Sequence, residues 1–461
     1  MYVHLEIGLQ FCLQHVKMPP VSYTLEVFFM TQQHSNIDTP RQVFLVGLTA
    51  SNTNLTYELE ELANLTTANN LEPVETFTQK LERPNPATYF GKGKVEELAE
   101  AVKTYDVDMI VANDELSPSQ IRNLEKATNA TVLDRTGLIL DIFAQRAQTK
   151  EAKLQVQLAR LQYQLPRLRT SMSVSLDQQT GSGGSGFTSR GSGETKLEES
   201  RRRITAQMVH IRQDLSDLKK GDTTRSARRQ ENDLPNVALV GYTNAGKSTL
   251  MNRLLERFGV GSDTADSKQV FEKDMLFATL NTTVRQLTLP DKKQFLLSDT
   301  VGFVSKLPHN LVAAFQSTLQ EAANADILLH VVDVSDEHHK DMMATTEKTL
   351  SEVGITDIPM ITIYNKADRT ELTYPELSGE NAITISALDS DSQTALIDLI
   401  KKHIFNDVEI VTLHIPFDQG AVQAKLAANH TFLSESYDET GSLLTVELSK
   451  LERELFTTYI V

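Results

Sequence analysis

The 461-residue chain is 40% hydrophobic and 23% charged, a balance that excludes a disordered or membrane-embedded protein. Its only cysteine, Cys12, leaves no disulfide framework and no cysteine-based metal site, which fits a reducing cytoplasm, and no apolar run approaches the ~18–20 residues that span a bilayer. The net charge of −16 conceals a contrast: residues 144–230 hold 17 Lys and Arg against 8 Asp and Glu, a net of +9, so the remainder carries −25. Such asymmetry points to one segment that meets a polyanion, and the acidic bulk argues against indiscriminate nucleic-acid binding.

In chain order, residues 1–35 lack the basic, apolar and small-residue zones of a signal peptide. Two readings stand for them: an upstream extension with Met30 as the native start, or a frayed tail. Residues 36–143 alternate apolar runs (Val43–Gly47, Val74–Thr78, Met109–Val111, Thr131–Leu133) with helical patterns (Leu55–Leu65, Lys94–Tyr105, Pro118–Thr128). This alternation predicts a small parallel α/β domain.

Residues 144–230 read as a basic helical hairpin. Leu154, Leu158, Leu161, Leu165 and Leu168 are spaced 4-3-4-3, an apolar seam of coiled-coil type that Pro166 should end or kink. A second seam runs through Leu197, Ile204, Met208, Ile211, Leu215 and Leu218. Between them, Gly181–Gly193 is a Gly/Ser-rich loop that cannot bury a core of its own, and a flexible tip is expected there. Arg201, Arg202, Arg203 and Arg212 make the second helix basic. Alternation resumes over residues 231–405, and residues 406–461 carry β-like runs at Glu409–Ile415 and Leu443–Leu448 around Ala421–Ala428, a small α+β appendage.

The chemistry lies in the fourth segment. The apolar run Val237–Val240 leads into Gly241-Tyr-Thr-Asn-Ala-Gly246-Lys247-Ser248, a match to G-x-x-x-x-G-K-[ST] between a strand and a helical pattern, Thr249–Arg257. Glycines at a helix N-terminus let backbone N–H groups of Gly241, Asn244, Ala245, Gly246, Lys247 and Thr249 curl around phosphates. Lys247 places a point charge on the β- and γ-phosphates, and the Ser248 hydroxyl coordinates Mg²⁺. After the strand Ile361–Tyr364 comes Asn365-Lys366-Ala367-Asp368, and Asp368 can accept from both guanine N1–H and the 2-amino group. Ser386-Ala387 follows the run Ala382–Ile385, with the Ala387 N–H directed to guanine O6. The substrate is therefore read as GTP, with GDP as product, rather than ATP.

Between these motifs, Phe295–Ser298 leads into Asp299-Thr-Val-Gly302, in which Asp299 holds Mg²⁺ through water and the Gly302 N–H senses the γ-phosphate. The Mg²⁺-binding threonine lies upstream, and spacing leaves Thr279, Thr282 and Thr283 open. Phe303 stands where many GTPases carry a water-orienting Gln, so slow intrinsic hydrolysis that needs a partner is expected. Asn244 is placed to help coordinate K⁺ beside the phosphates, with an ordinary loop hydrogen bond as the alternative. The resulting fold class is α/β: a P-loop GTPase domain with a parallel sheet, preceded by the small α/β domain and the hairpin and followed by the α+β appendage.

Several strings resemble the HflX family of ribosome-associated GTPases. They are Arg83-Pro-Asn-Pro-Ala-Thr-Tyr-Phe-Gly-Lys-Gly-Lys94, Gly191-Ser-Gly-Glu-Thr-Lys-Leu-Glu198 with Arg201–Arg203, Leu276-Phe-Ala-Thr-Leu-Asn-Thr-Thr283 and Asp299-Thr-Val-Gly-Phe303. The resemblance covers residues 40–405 and places the metal-binding threonine at Thr283. The chain departs from the family pattern at Asn281-Thr282, where Asp-Pro is usual, and at Ser192 and Lys196, where Pro and Gln are usual. It implies binding to the large ribosomal subunit and separation of stalled or idle ribosomes, chiefly under stress. The hairpin would reach the peptidyl-transferase region, with Arg190, Arg201, Arg202 and Arg203 on rRNA. A monomer with no membrane-spanning segment is expected. A regulatory switch binding a protein and an RNA-remodelling factor are the rival readings. Gly91-Lys-Gly-Lys94 invites a second nucleotide but lacks P-loop spacing, so a helix N-terminus with surface lysines is preferred. Tyr89 and Phe90 read as packing or as a base-stacking pair. His338-His339 read as a polar loop.

Overall fold

In the computed structural model, residues 40–49, 55–168, 189–230, 234–259, 277, 283–306 and 320–461 are described, with side chains of the 189–230 helix described over 197–218. Residues 41–461 form one compact unit. The expectations for residues 1–35, Thr279, Thr282 and the side chain of Arg190 lie outside the described residues, and so does the loop up to residue 188.

The first sheet contains β1 (Arg41–Thr49), β2 (Leu71–Lys80), β3 (Met109–Ala112) and β4 (Thr131–Asp134), in the order β2-β1-β3-β4 and all parallel. A parallel sheet needs both faces covered, and β1 alternates accordingly. Phe44 and Val46 join the core with α2 (Lys92–Tyr105) and α3 (Pro118–Thr128). Val43 and Leu45 face α1 (Leu55–Ala68) and α4 (Arg135–Arg146). Ser117 and Gln120 form a capping box at the start of α3, and Asp134 caps α4 through the Gly137 N–H. Helix α4 runs across residue 143, so the expected domain boundary at 143/144 cuts a helix whose Leu138, Ile142 and Phe143 are buried.

α5 (Lys150–Gln164) ends in a 3₁₀ turn at Leu165–Arg167, where Pro166 removes a donor. Leu161, Met208 and Ile211 form a small core between α5 and α6 (Ser189–Gln230), flanked by Leu154, Leu158, Leu165, Ile204 and Leu215. Helix α6 already begins at Ser189, five residues inside the stretch expected to be loop. The helix includes Gly191 and Gly193 despite their low propensity, since adding residues to an existing helix costs far less than starting one.

The second sheet holds β5 (Asn236–Val240), β6 (Thr283–Thr288), β7 (Gln294–Asp299), β8 (Ile327–Asp333), β9 (Met360–Asn365), β10 (Glu376–Leu377) and β11 (Ala382–Thr384), in the order β10-β11-β9-β8-β5-β7-β6. Its centre is parallel as expected, but β6 and β10 pair antiparallel at the two edges, where short hairpin connections suffice. Its helices are α7 (Lys247–Phe258), α8 (Gln320–Ala323), α9 (His339–Val353) and α10 (Ser390–Ile404). A third sheet, in the order β12-β14-β13, combines β12 (Glu409–Pro416), β13 (Ser434–Tyr437) and β14 (Gly441–Leu448) with α11 (Gly420–Asn429) and α12 (Lys450–Leu455). Among the described residues no helix is long and apolar enough to cross a membrane.

Candidate functional site

The Gly241–Ser248 loop connects the buried end of β5 to the first turn of α7, so the free N–H groups of that helix point into the loop. Two glycines are required by close approach as well as by dihedral. Gly241 has φ 143°, and a Cβ there would sit 2.2 Å from the Val331 carbonyl; Gly246 has φ 96°, and a Cβ there would meet Asn365 Nδ2 at 2.3 Å. Asn244 is exposed and takes a left-handed φ of 60°, which Asn tolerates better than most residues. Ala245 is buried and Thr249 half-buried in the first turn of α7.

Lys247 is 6% exposed. Its Nζ donates to the carbonyls of Gly241 at 2.9 Å and Tyr242 at 2.6 Å, which holds the ammonium at the mouth of the loop. Burial lowers its pKa to about 8, with the Asp299 carboxylate opposing that shift. Ser248 Oγ donates to Asp299 Oδ2 at 2.8 Å, and Asp299 is fully buried at the end of β7. Thr283 opens β6 directly opposite Asp299 in the β6–β7 pairing. The Ser248 hydroxyl and the Asp299 carboxylate thus meet at the end of the loop, with the backbone of Thr283 paired beside them. His330, buried on β8, has its pKa lowered to about 4 by burial and by Lys247.

Gly302 presses on the loop from the other side. A Cβ there would fall 2.8 Å from Thr243 Cγ2 and 3.0 Å from Lys247 Nζ. The Thr243 N–H donates to the Phe303 carbonyl at 2.8 Å, and the Phe303 N–H to the Gly241 carbonyl at 3.2 Å. Phe303 itself is 3% exposed and buried in apolar surroundings, with no group that could orient water.

At the far end of the loop, Asn365 is 1% exposed and links two segments. Its Nδ2 donates to the Ala245 carbonyl at 2.9 Å, while its Oδ1 accepts from the Ala387 N–H at 3.0 Å. Lys366 has a φ of 63° and pairs with Asp333 at 2.7 Å. Asp368 is exposed on the 3₁₀ turn Ala367–Arg369, and Ser386 is buried beside Ala387. The structure thus gathers Lys247, Ser248, Thr283, Asp299 and Gly302 at one end of the loop, and Asn365, Lys366, Asp368, Ser386 and Ala387 near the other.

Arg201, Arg202 and Arg203 lie apart from this site, exposed on α6, with Arg202 3.4 Å from Glu198. The base-stacking reading of Tyr89 and Phe90 is overturned. Both are buried, at 1% and 0% exposed, and the Tyr89 hydroxyl is bonded to Asp114. Packing wins because the turn before α2 inserts both rings into the core of the first domain. At Gly91-Lys-Gly-Lys94 the Gly91 N–H is taken by Gln79 at 2.8 Å, and Lys94 pairs with Glu97 at 2.8 Å. The His338 ring packs against Tyr57 at a tilt of 45°, with ring centroids 4.3 Å apart.

Sequence reasoning missed a second cluster behind the phosphate loop. The Tyr242 hydroxyl donates to Glu61, on α1 of the first domain, and accepts from the Ser305 N–H at 2.6 Å. Lys306 reaches Glu58 at 2.7 Å and Asp114 at 2.8 Å. The one local signal was an aromatic residue at the first variable position of the phosphate loop.

A nucleotide-binding loop on a parallel strand, an Asp at the end of the neighbouring strand and an Asn-Lys-x-Asp turn define a P-loop GTPase, an enzyme that hydrolyses GTP. Family models agree along the chain: "GTP-binding GTPase N-terminal" matches residues 56–144, "GTP-binding GTPase Middle Region" residues 146–229 and "50S ribosome-binding GTPase" residues 236–366. The chain belongs to the HflX GTPase family. It is 41% identical to GTPase HflX of Caldanaerobacter subterraneus, covering 87% of this chain and 90% of that one. It is 36% identical to GTPase HflX of Escherichia coli, covering 84% and 88%. A solved GTP-binding protein of Sulfolobus solfataricus in complex with GDP aligns at a TM-score of 0.42 with 22% identity, covering 79% of this chain and 99% of that one.

Proposed function

We propose that this GTPase binds the large ribosomal subunit through its helical hairpin and separates stalled or idle ribosomes, with GTP hydrolysis as the release step. The observation that carries the reading is the juxtaposition, in one chain, of the GTPase site with three consecutive exposed arginines on α6. A surface of this charge on an acidic protein matches a phosphate backbone, and counterion release would make its binding salt-dependent. Arg190, Arg201, Arg202 and Arg203 would contact rRNA.

At the nucleotide, the backbone N–H groups of Gly241, Asn244, Ala245, Gly246, Lys247, Ser248 and Thr249 would cradle the phosphates, with the Lys247 ammonium on the β- and γ-oxygens. Asn365, Lys366, Asp368 and Ser386 would hold guanine; the Ala387 N–H expected at guanine O6 is instead donated to Asn365 Oδ1 at 3.0 Å, so it would have to change partner on binding. Ser248 and Thr283 would ligate Mg²⁺ directly and Asp299 through water; the ion neutralises charge between the β- and γ-phosphates. Gly302 would offer its N–H to the γ-phosphate. The water-orienting duty that Phe303 cannot perform falls to the partner, so basal turnover is slow and the large subunit raises it. Asn244 supports K⁺ coordination beside the phosphates; equal turnover in Na⁺ and K⁺ would remove that part.

Sedimentation with purified large subunits across a salt series tests the reading. Co-migration with a non-hydrolysable GTP analogue, abolished as salt rises and weaker with GDP, is the expected result. No nucleotide-dependent co-migration at low salt overturns it.

A further inference from the structure

Behind the phosphate loop, buried polar groups run from the segment after Gly302 to the hairpin. Ser305 is fixed at each of its polar atoms. Its N–H donates to the Tyr242 hydroxyl at 2.6 Å, its hydroxyl donates to Glu61 and accepts from Arg135 at 2.8 Å, and its carbonyl accepts from Arg135 Nε at 3.3 Å. Arg135 is 1% exposed and also bonds Glu61. The preceding residue, Asp134, is 0% exposed and turns the opposite way. Its Oδ1 accepts from the Tyr163 hydroxyl at 2.6 Å and its Oδ2 from Arg167 at 2.9 Å. The Arg167 guanidinium stacks on the Tyr163 ring at 3.5 Å, in the 3₁₀ turn that ends α5.

We infer that Asp134 and Arg135 form a rigid coupler between the nucleotide switch and the helical hairpin, so that each biases the conformation of the other. Asp134 is the N-cap of α4, held by the Gly137 N–H at 2.8 Å, so the two residues share one fixed piece of backbone. If the segment after Gly302 shifts to meet a γ-phosphate, the Ser305 hydrogen bonds to Arg135 change. Arg135 keeps Glu61 and Asn113, the latter at 3.0 Å, but its Nε–H would lose the Ser305 carbonyl at a site 1% exposed, so the side chain must re-pair and the change is transmitted to the start of α4 and the groups bonded there. Coupling between two sites is reciprocal, so whatever fixes the hairpin alters the preference for GTP over GDP by the same factor. The inference holds whatever partner the hairpin binds.

The test uses the full chain and a ratio rather than a rate. Tyr163→Phe keeps the ring under Arg167 and removes only the hydroxyl on Asp134. Titration with a fluorescent GTP analogue and with GDP gives the ratio of the two affinities. Tyr163→Phe and Ser305→Ala should each shift that ratio about 5-fold or more. The double variant should shift it no further than the larger single change, because coupled positions are not additive. An unchanged ratio in Tyr163→Phe, or an additive double variant, overturns the coupler. In the unaltered protein, amide hydrogen exchange over residues 150–164 should differ between the GTP analogue and GDP; identical exchange also overturns it.

Discussion

The two faces of the seven-stranded sheet are closed by different means. One is self-sufficient: Val237, Leu239, Ile361 and Ile363 pack against Leu250, Leu254, Leu396 and Ile400 from the sheet's own helices α7 and α10. Apart from Lys247 of the phosphate loop, the buried polar residues on those helices, Asn252, Ser392 and Gln393, carry no charge. The other face is borrowed in part, its own helices α8 and α9 supplying only Ala322 and Leu350 as buried apolar residues among those described. Ala238, Val240, Tyr242, Val301, Phe303 and Leu328 lie in one core with Val43, Leu62, Leu138 and Phe143 of the first domain. Phe277 meets Phe143 edge-on at 4.5 Å, and the Glu61–Arg135 pair sits within the same junction. The face that only has to be stable buries no charged pair among these residues. The face beside Gly302 carries buried charge, which favours a defined geometry over stability. That difference identifies the first domain as a structural part of the GTPase rather than an accessory.

Arg135→Ala should show the largest effect. It leaves the Glu61 carboxyl at a site 6% exposed without its partner, at a cost of about 3–5 kcal/mol. Urea denaturation measures it. Ile363→Ala on the self-sufficient face should cost a similar ~2–5 kcal/mol by leaving a cavity, yet only Arg135→Ala should also change the GTP-to-GDP affinity ratio. If both variants lose stability and neither moves the ratio, the contrast between the faces is one of composition alone.

Gly302→Ala comes next. The added Cβ would meet Thr243 Cα at 2.9 Å and Lys247 Nζ at 3.0 Å, and the first of these is backbone that cannot rotate away. Overpacking of this kind costs about 1–3 kcal/mol. It should weaken the GTP analogue more than GDP, since only the γ-phosphate needs Gly302. Equal weakening in a fluorescence titration would place the glycine's role in packing alone.

The self-sufficient face and its motifs were legible in the sequence because phosphate and guanine chemistry fix residue types over short spans. Gly241–Ser248 and Asn365–Asp368 are each contiguous, and apolar runs mark their strands. The junction was not legible. Arg135 meets Ser305 across 170 positions and Glu61 meets Ser305 across 244, and each of these residues is ordinary by itself. Thr283 came from the family pattern, not from spacing, and the β6–β7 pairing puts it opposite Asp299. Strand β13, Ser434–Tyr437, was missed because Ser-Glu-Ser-Tyr is short and polar at a sheet edge. The start of α6 was misread because glycine content signals a loop even where helix prevails.

Lys247 provides a smaller effect that reports on both faces. Its pKa is lowered to about 8 by burial, and phosphate oxygens favour the charged form. Below pH 8 the lysine is already protonated, whereas above it binding must take up a proton, so affinity falls as pH rises. Between pH 7 and 8.5 the dissociation constant for GDP should rise roughly fourfold. Calorimetry in two buffers of different ionisation enthalpy measures the proton uptake directly. Opening the borrowed face with Arg135→Ala admits water, so the lysine should return toward its ordinary value and the rise should flatten. A rise that survives that change would mean the self-sufficient face alone desolvates Lys247.

The smallest effect on stability belongs to the exposed arginines of α6. Arg201, Arg202 and Arg203 join neither core, and their one described ion pair, Arg202 with Glu198 at 3.4 Å, spans one helical turn in solvent. Exposed pairs of this kind contribute about 0.3–0.5 kcal/mol. Replacing all three with Ala should therefore leave the denaturation midpoint almost unmoved, and Ala favours the helix slightly. Nucleotide affinity should also hold, because these residues lie away from the phosphate loop. What should fall is binding to large subunits, with the slope of log affinity against log salt reduced by about one for each phosphate no longer neutralised. A variant that keeps its midpoint and its salt slope has arginines that only solvate the helix. One that keeps its midpoint while its slope falls separates the surface that binds from the junction that switches.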